Sequence, residues 1–176
     1  MNVKKKFIFT VDVEGHVGFD PVSSLIYGKI KDGRLCGIDM IMDMLNEFEL
    51  IGIFFVDIAE AWSYGRDAIA TVMHHIKERG HIVGVHIHPD HMADQSKLFL
   101  AEYTYQEQFS IIKKCTDFYV DVLGENPQFF RAGKYGANWD TLDILGKLGY
   151  KADFSEFYGQ KWCKIEPPCT YTNTIK

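Results

Sequence analysis

The sequence predicts an α/β protein of parallel β/α construction, a distorted or incomplete barrel of about five β/α units. Three observations carry this. Short apolar runs alternate with helix-periodic stretches along the chain. Helix-to-strand connections are short (around Leu50-Ile51, Gly80, Gly124 to Pro127 and Gly149), whereas strand-to-helix connections at 12–36, 57–66 and 89–103 are long. Every acid, imidazole and guanidinium group worth singling out falls at or just past the C-terminal end of a strand. That is the face on which parallel β/α folds build their sites.

Phe7 to Val11 reads as a first strand covered on both faces. It stops at Asp12-Val13-Glu14-Gly15, where two carboxylates two residues apart share one face if the strand persists. Residues 16–36 are rich in Gly, Ser and Pro without a period, and are expected to form a long loop. Ile38, Ile41, Met42, Leu45 and Phe48 mark one face of a helix, followed by a buried strand over Gly52 to Val56 with Asp57 at its end. A second helix over about 67–79 turns Ile69, Val72, Met73 and Ile76 inward and is capped by Gly80.

The third strand is the stretch Gly80-His81-Ile82-Val83-Gly84-Val85-His86-Ile87-His88-Pro89-Asp90-His91, which holds four of the seven histidines. Strand alternation puts His86 and His88 on one side, with His81 on the other, and Pro89 ends regular pairing. Thr104-Tyr105-Gln106-Glu107 has the form of a capping box opening a helix that runs to about Leu123. Gln128 to Arg131 is a fourth strand. Asn138 caps a fourth helix with Leu142, Leu145 and Leu148 inward, and Tyr150 to Asp153 is a fifth strand.

At 176 residues, 47% hydrophobic and 24% charged, the chain is expected to form a single soluble domain over 1–176. A net charge of −5 gives no basic footprint, which argues against a nucleic-acid partner. No stretch approaches the roughly 20 apolar residues of a membrane span. The first apolar run is too short for a signal-peptide core, so the expected setting is cytoplasmic. Cys36, Cys115, Cys163 and Cys169 form no Cys-x-x-Cys pair and read as ordinary thiols.

Two imidazoles at a strand's end can grip one divalent ion, and a carboxylate from the first strand would complete the set. The strand ends offer Asp12 and Glu14, then His86, His88 and His91, then Arg131. Two His and one carboxylate leave positions open for water and substrate, the mark of a catalytic site. A second carboxylate could take the water's proton while an arginine holds it ionised. These parts suit metal-assisted hydrolysis of an amide or ester. Asp12 also has a plainer reading as a loop cap, and Arg131 as its structural partner. His74 and His75 are expected to face solvent, and Trp62, Tyr64 and Tyr135 either stack on a sugar ring or simply pack.

In order along the chain, Thr10-Val11-Asp12-Val13-Glu14-Gly15, Gly52-Ile53-Phe54-Phe55-Val56, Gly80 to His86, Phe130-Arg131-Ala132-Gly133, and Leu145 to Tyr150 with Asp153-Phe154-Ser155 resemble the polysaccharide deacetylases of the NodB-homology type, carbohydrate esterase family four in the broad sense. The resemblance implies Asp12 as catalytic base, Arg131 as the residue orienting it, Glu14 as the metal acid and His86 as the first metal histidine. It implies a divalent ion, with zinc expected, and removal of an N-acetyl group from an amino sugar or polysaccharide.

The chain departs from the family at several points. The family's second metal histidine comes four residues after the first, where this chain has Asp90; His88 stands in by strand period, with His91 as the alternative. Gly133 replaces a frequent Pro, and Tyr135 comes one place late. The late histidine motif that supplies the leaving group's proton has no match, so His91 or His16 would have to serve. Five strands also fall short of the family's seven or eight, which suggests either a missing C-terminal part, a tail from Phe157 folded over an edge, or a homodimer. Two other functions share these parts: a metal- and sugar-binding pseudoenzyme, and a hydrolase of non-sugar amide C–N bonds.

Overall fold

A computed structural model describes residues 7–15, 20–28 and 32–156. The strands are β1 (Phe9–Val13), β2 (Gly52–Asp57), β3 (Ile82–Ile87), β4 (Phe129–Ala132) and β5 (Ala152–Asp153). They form one open, wholly parallel sheet in the order β1-β2-β3-β4-β5. The helices between them are α1 (Ile38–Glu47), the short α2 (Ala61–Tyr64), α3 (Arg66–Glu78), α4 (Tyr105–Leu123) and α5 (Trp139–Lys147).

Strand pleating divides the side chains between two environments. Val13, Phe54, Val56, Val83, Val85 and Phe130 point to the helices, where they pack with Met42, Leu45, Ile69, Met73, Ile76, Ile112 and Leu145 in one apolar core. The opposite face carries the polar groups. Asp12, Phe55 and Gly84 are register partners there, and two residues further along so are Asp57, His86 and Arg131. This second face is concave. In a flat sheet β1 and β4 would stand three strand spacings apart, roughly 14 Å. Instead, the Arg131 guanidinium on β4 donates directly to Asp12 and Thr10 on β1. Gly84 permits the curl, because a Cβ there would lie 2.5 Å from the Phe55 ring.

The helix termini follow the sequence signals. Thr104 and Glu107 exchange bonds as a capping box, Asn138 accepts from the Thr141 N–H, and Gly80, Gly124 and Gly149 take positive φ where helices end. Four expectations need correction. The stretch expected as a plain loop contains a helical turn at Val22–Tyr27, with Leu25 and Ile26 in the core. The 57–66 connection holds a 3-10 turn, Ile58–Glu60, and α2. Phe48 is 67% exposed rather than inward, since α1 ends at Glu47 and Phe48 lies past its last turn. His75 is half-buried and bonds Asp39 of α1, 2.9 Å away, alongside Arg79. Cys36 and Cys115 are free thiols; Cys163, Cys169, His16 and the tail from Phe157 lie outside the described residues.

Candidate metal and catalytic site

The concave face ends in a cleft of about 210 Å³ lined by Asp12, Glu14, His86, His88, Arg131, Ala132, Lys134 and Tyr135. Each arrives by a simple local rule. Asp12 and Glu14 alternate at the end of β1. His86 is the penultimate residue of β3, and His88 keeps the strand's alternation because its backbone stays extended (φ −97°, ψ 105°). Pro89 then turns the chain into a 3-10 turn, Pro89–His91, which carries His91 out of this group.

Glu14 Oε2 lies 2.8 Å from His88 Nε2 and 3.3 Å from His86 Nε2. The two rings meet edge-on with centroids 4.9 Å apart. Hydrogen bonds from His86 and then His88 hold the Glu14 carboxyl well below the usual carboxylate range. Burial opposes charging of His88, but Glu14 and Asp57 outweigh it and its pKa is raised.

This donor set fits a divalent ion. The buried His86 ring has its Nδ1 2.9 Å from the Arg131 carbonyl, which can only accept, so Nδ1 donates there and Nε2 is the ring nitrogen turned toward Glu14 and toward any ion held with it. Glu14, His86 and His88 each offer one ligand atom, all within 4.8 Å of one another. Gly133 is required behind them, because a Cβ there would stand 2.7 Å from His88 Cγ and from the Ile87 carbonyl oxygen.

Beside this group, Arg131 Nη1 donates to Asp12 Oδ1 at 2.5 Å, Nη2 to Thr10 Oγ1 at 3.0 Å and Nε to the Phe154 carbonyl at 3.3 Å. Its guanidinium also sits over the Phe55 ring, 4.4 Å from the centroid. An arginine so held cannot swing, and it fixes one oxygen of Asp12. Lys134 and Tyr135 occupy the left-handed backbone region, with φ of 52° and 56°, which lifts them over the cleft's edge. Trp62 packs against Phe118 instead of lining the cleft.

His91 joins a second group that sequence reasoning did not assemble. Asp57, Glu60 and His91 also offer ligand atoms within 4.8 Å of one another. Burial raises the pKa of Asp57, and burial followed by the charge of Asp57 pushes Glu60 up to about 8. A signal was present: Asp57 and Glu60 are three residues apart, one helical turn. It was hidden because 57–66 lacks helical periodicity.

A curled parallel sheet bearing a two-histidine, one-carboxylate group beside an arginine-held aspartate defines a β/α barrel-like protein. The polysaccharide deacetylase family matches residues 24–152, and the chain belongs to that family. The matched stretch starts after β1, so Asp12 and Glu14 enter the site by geometry rather than by that match.

Among solved structures of similar fold, a Mycobacterium smegmatis protein named as a candidate polysaccharide deacetylase has a TM-score of 0.57 at 21% identity, over 83% of this chain and 49% of its own. The chitin deacetylase of the fungal pathogen Colletotrichum lindemuthianum gives 0.51 at 20% identity, over 83% and 53%. A pseudoenzyme of carbohydrate esterase family four from Bacillus anthracis gives 0.52 at 12%, over 81% and 40%. The chain thus spans about half the length of these proteins or less. No curated protein matches it. Among the described residues no helix is long and apolar enough to cross a membrane.

Proposed function

We propose that this domain removes N-acetyl groups from an amino sugar or polysaccharide by hydrolysis, with a divalent metal, zinc expected, held by Glu14, His86 and His88. The observation that supports this best is the meeting, in one small cleft, of that donor group and the Asp12–Arg131 pair. A cleft of about 210 Å³ suits an acyl group, being smaller than the ~300 Å³ or more of pockets that enclose whole ligands, so the sugar would lie outside along the sheet's open end. A divalent ion bound there would acidify water and polarise an acyl carbonyl.

Within that setting Asp12 is the group that takes the water's proton on its free oxygen. Arg131 keeps Asp12 aimed by holding its other oxygen. Thr10 and Phe154 position Arg131 in turn. His86, its proton fixed on Nδ1, remains a ligand and takes no part in proton transfer.

Among the described residues the cleft offers no further histidine for the departing amine's proton, since both imidazoles there face Glu14 and His91 lies in the second group. That observation favours one competing reading, a domain that binds metal and sugar without turnover. Acetate release from N-acetylglucosamine oligomers by zinc-loaded protein decides between them. The deacetylase reading expects release, with a loss of ~10²–10⁴-fold in Asp12→Asn at unchanged zinc content, and loss of one zinc per chain, the one in this cleft, in His86→Ala with the fold retained. Oligomer binding without acetate release would establish the binding module. Full zinc occupancy in His86→Ala would remove the assigned ligands.

A further inference from the structure

Asp57 and Glu60 are 0% and 1% exposed, and each is tethered by one oxygen only. Asp57 Oδ1 accepts from the Ala59 N–H at 3.0 Å and the His88 N–H at 3.2 Å. Glu60 Oε1 accepts from the Gly15 N–H at 2.6 Å. The remaining oxygens, Asp57 Oδ2 and Glu60 Oε2, are buried and have no hydrogen-bond partner, and the Tyr64 hydroxyl is in the same condition. Backbone amides therefore hold both carboxylates rigidly while leaving one oxygen of each undirected.

His91 faces the same space. Its Nδ1 lies 3.0 Å from Ser63 Oγ, and its Nε2 stands 3.8 Å from Asp57 Oδ2. That separation is too long for a hydrogen bond. It does lie within the span of two donors on one ion, which for bonds of about 2.0–2.2 Å is at most about 4.4 Å.

From these tethered, unpartnered oxygens and the ring nitrogen among them, we propose that Asp57, Glu60 and His91 form a second divalent-cation site, adjoining the first through the His88 backbone. Two buried carboxylates facing each other are costly unless something positive lies between them. Two oxygens and one imidazole nitrogen suit a zinc- or manganese-like ion, with water or the Tyr64 hydroxyl as a further donor. Ser63 plays the supporting part, fixing the imidazole so that Nε2 points inward. The site would pin the end of β2 to the β3 turn on which His88 rides.

This inference does not depend on the hydrolase reading, and its readout is metal content. The full chain is dialysed to equilibrium against zinc and, separately, manganese, and bound metal is measured by elemental analysis. Two ions per chain are expected with at least one of the metals. Glu60→Gln and His91→Ala should each reduce this to one, and so should His86→Ala, by losing the other ion. His91 is at the rim, so its variant serves even if a buried substitution perturbs folding, which circular dichroism reports. One ion per chain with both metals that is lost in His86→Ala and kept in Glu60→Gln and His91→Ala, or two ions retained in Glu60→Gln and His91→Ala, would overturn the second site; in the former case the first site stands alone and the facing carboxylates share a proton instead. One ion per chain that is lost in Glu60→Gln and His91→Ala and kept in His86→Ala would uphold the second site and remove the first.

Discussion

Asp153 shows how a single buried carboxyl sets a pH response. It is wholly buried at the end of β5, where the Ser155 hydroxyl donates to Oδ1 at 2.5 Å and the Ser155 N–H to Oδ2 at 3.2 Å. Burial outweighs these bonds and pushes its pKa up to about 7. The folded state therefore keeps a proton that the unfolded chain releases near pH 4, and the stability this brings is full below about pH 4 and lost as pH rises to 7. Urea unfolding of metal-free protein should show stability falling across that window, by at most a few kcal/mol. Asp153→Asn should flatten the fall below pH 7. Glu60, pushed up to about 8, adds a slope of the same sign that continues higher. A wild-type profile that rises from pH 4.5 to 7 and is copied by Asp153→Asn would contradict this account.

At the scale of elements, the chain after β4 is shaped around the cleft. Gly133 lets the β4 end lie against His88, and Lys134 and Tyr135 follow with positive φ. Gly133→Ala needs no unusual backbone angle, but its methyl must displace either the His88 ring or the Ile87 carbonyl. The expected result is zinc affinity lowered about tenfold or more, the scale seen when groups that orient a ligand are lost, with a thermal midpoint lowered by only a few degrees. Zinc affinity equal to wild type would show that His88 tolerates the shift.

Elements built on apolar periodicity were legible in the sequence. Ile69, Val72, Met73 and Ile76 of α3 are all fully buried, as their spacing requires, and the strands were placed by their apolar runs and flanking glycines. The Val22–Tyr27 turn was not legible, because six residues give too short a period and its order comes from burying Leu25 and Ile26 against distant helices. The Glu14, His86 and His88 grouping could be anticipated, since strand alternation reaches His88 unbroken. The Asp57, Glu60 and His91 group was harder to see, because two short 3-10 turns from different connections, Ile58–Glu60 and Pro89–His91, bring its members together and neither shows a period.

For the molecule as a whole, the sheet is open and β1 and β5 are its edges among the described residues. Phe7 and Ile8, just before β1, are 79% and 59% exposed, and Ile51, just before β2, is 65% exposed. An exposed edge strand with apolar side chains invites pairing with another chain. Light scattering across a concentration series should therefore reveal dimers or larger species, reduced when Ile8 and Ile51 are both replaced by Lys. A monomer at every concentration would mean that this edge is already covered.

The tie between Arg131 and Asp12 spans 119 positions along the chain. Glu14, His86 and His88, by contrast, are all present once the third strand has been made. A protein emerges from the ribosome N-terminus first, so the three side chains that face one another are available before the guanidinium that steadies their neighbour exists. Whatever those three side chains grip joins the first and third strands early, while Asp12 waits for the fourth. On the proposed function, the nascent chain would acquire a capacity to bind before it acquires the arrangement for proton transfer, and a ribosome stalled between the two points would carry the one without the other.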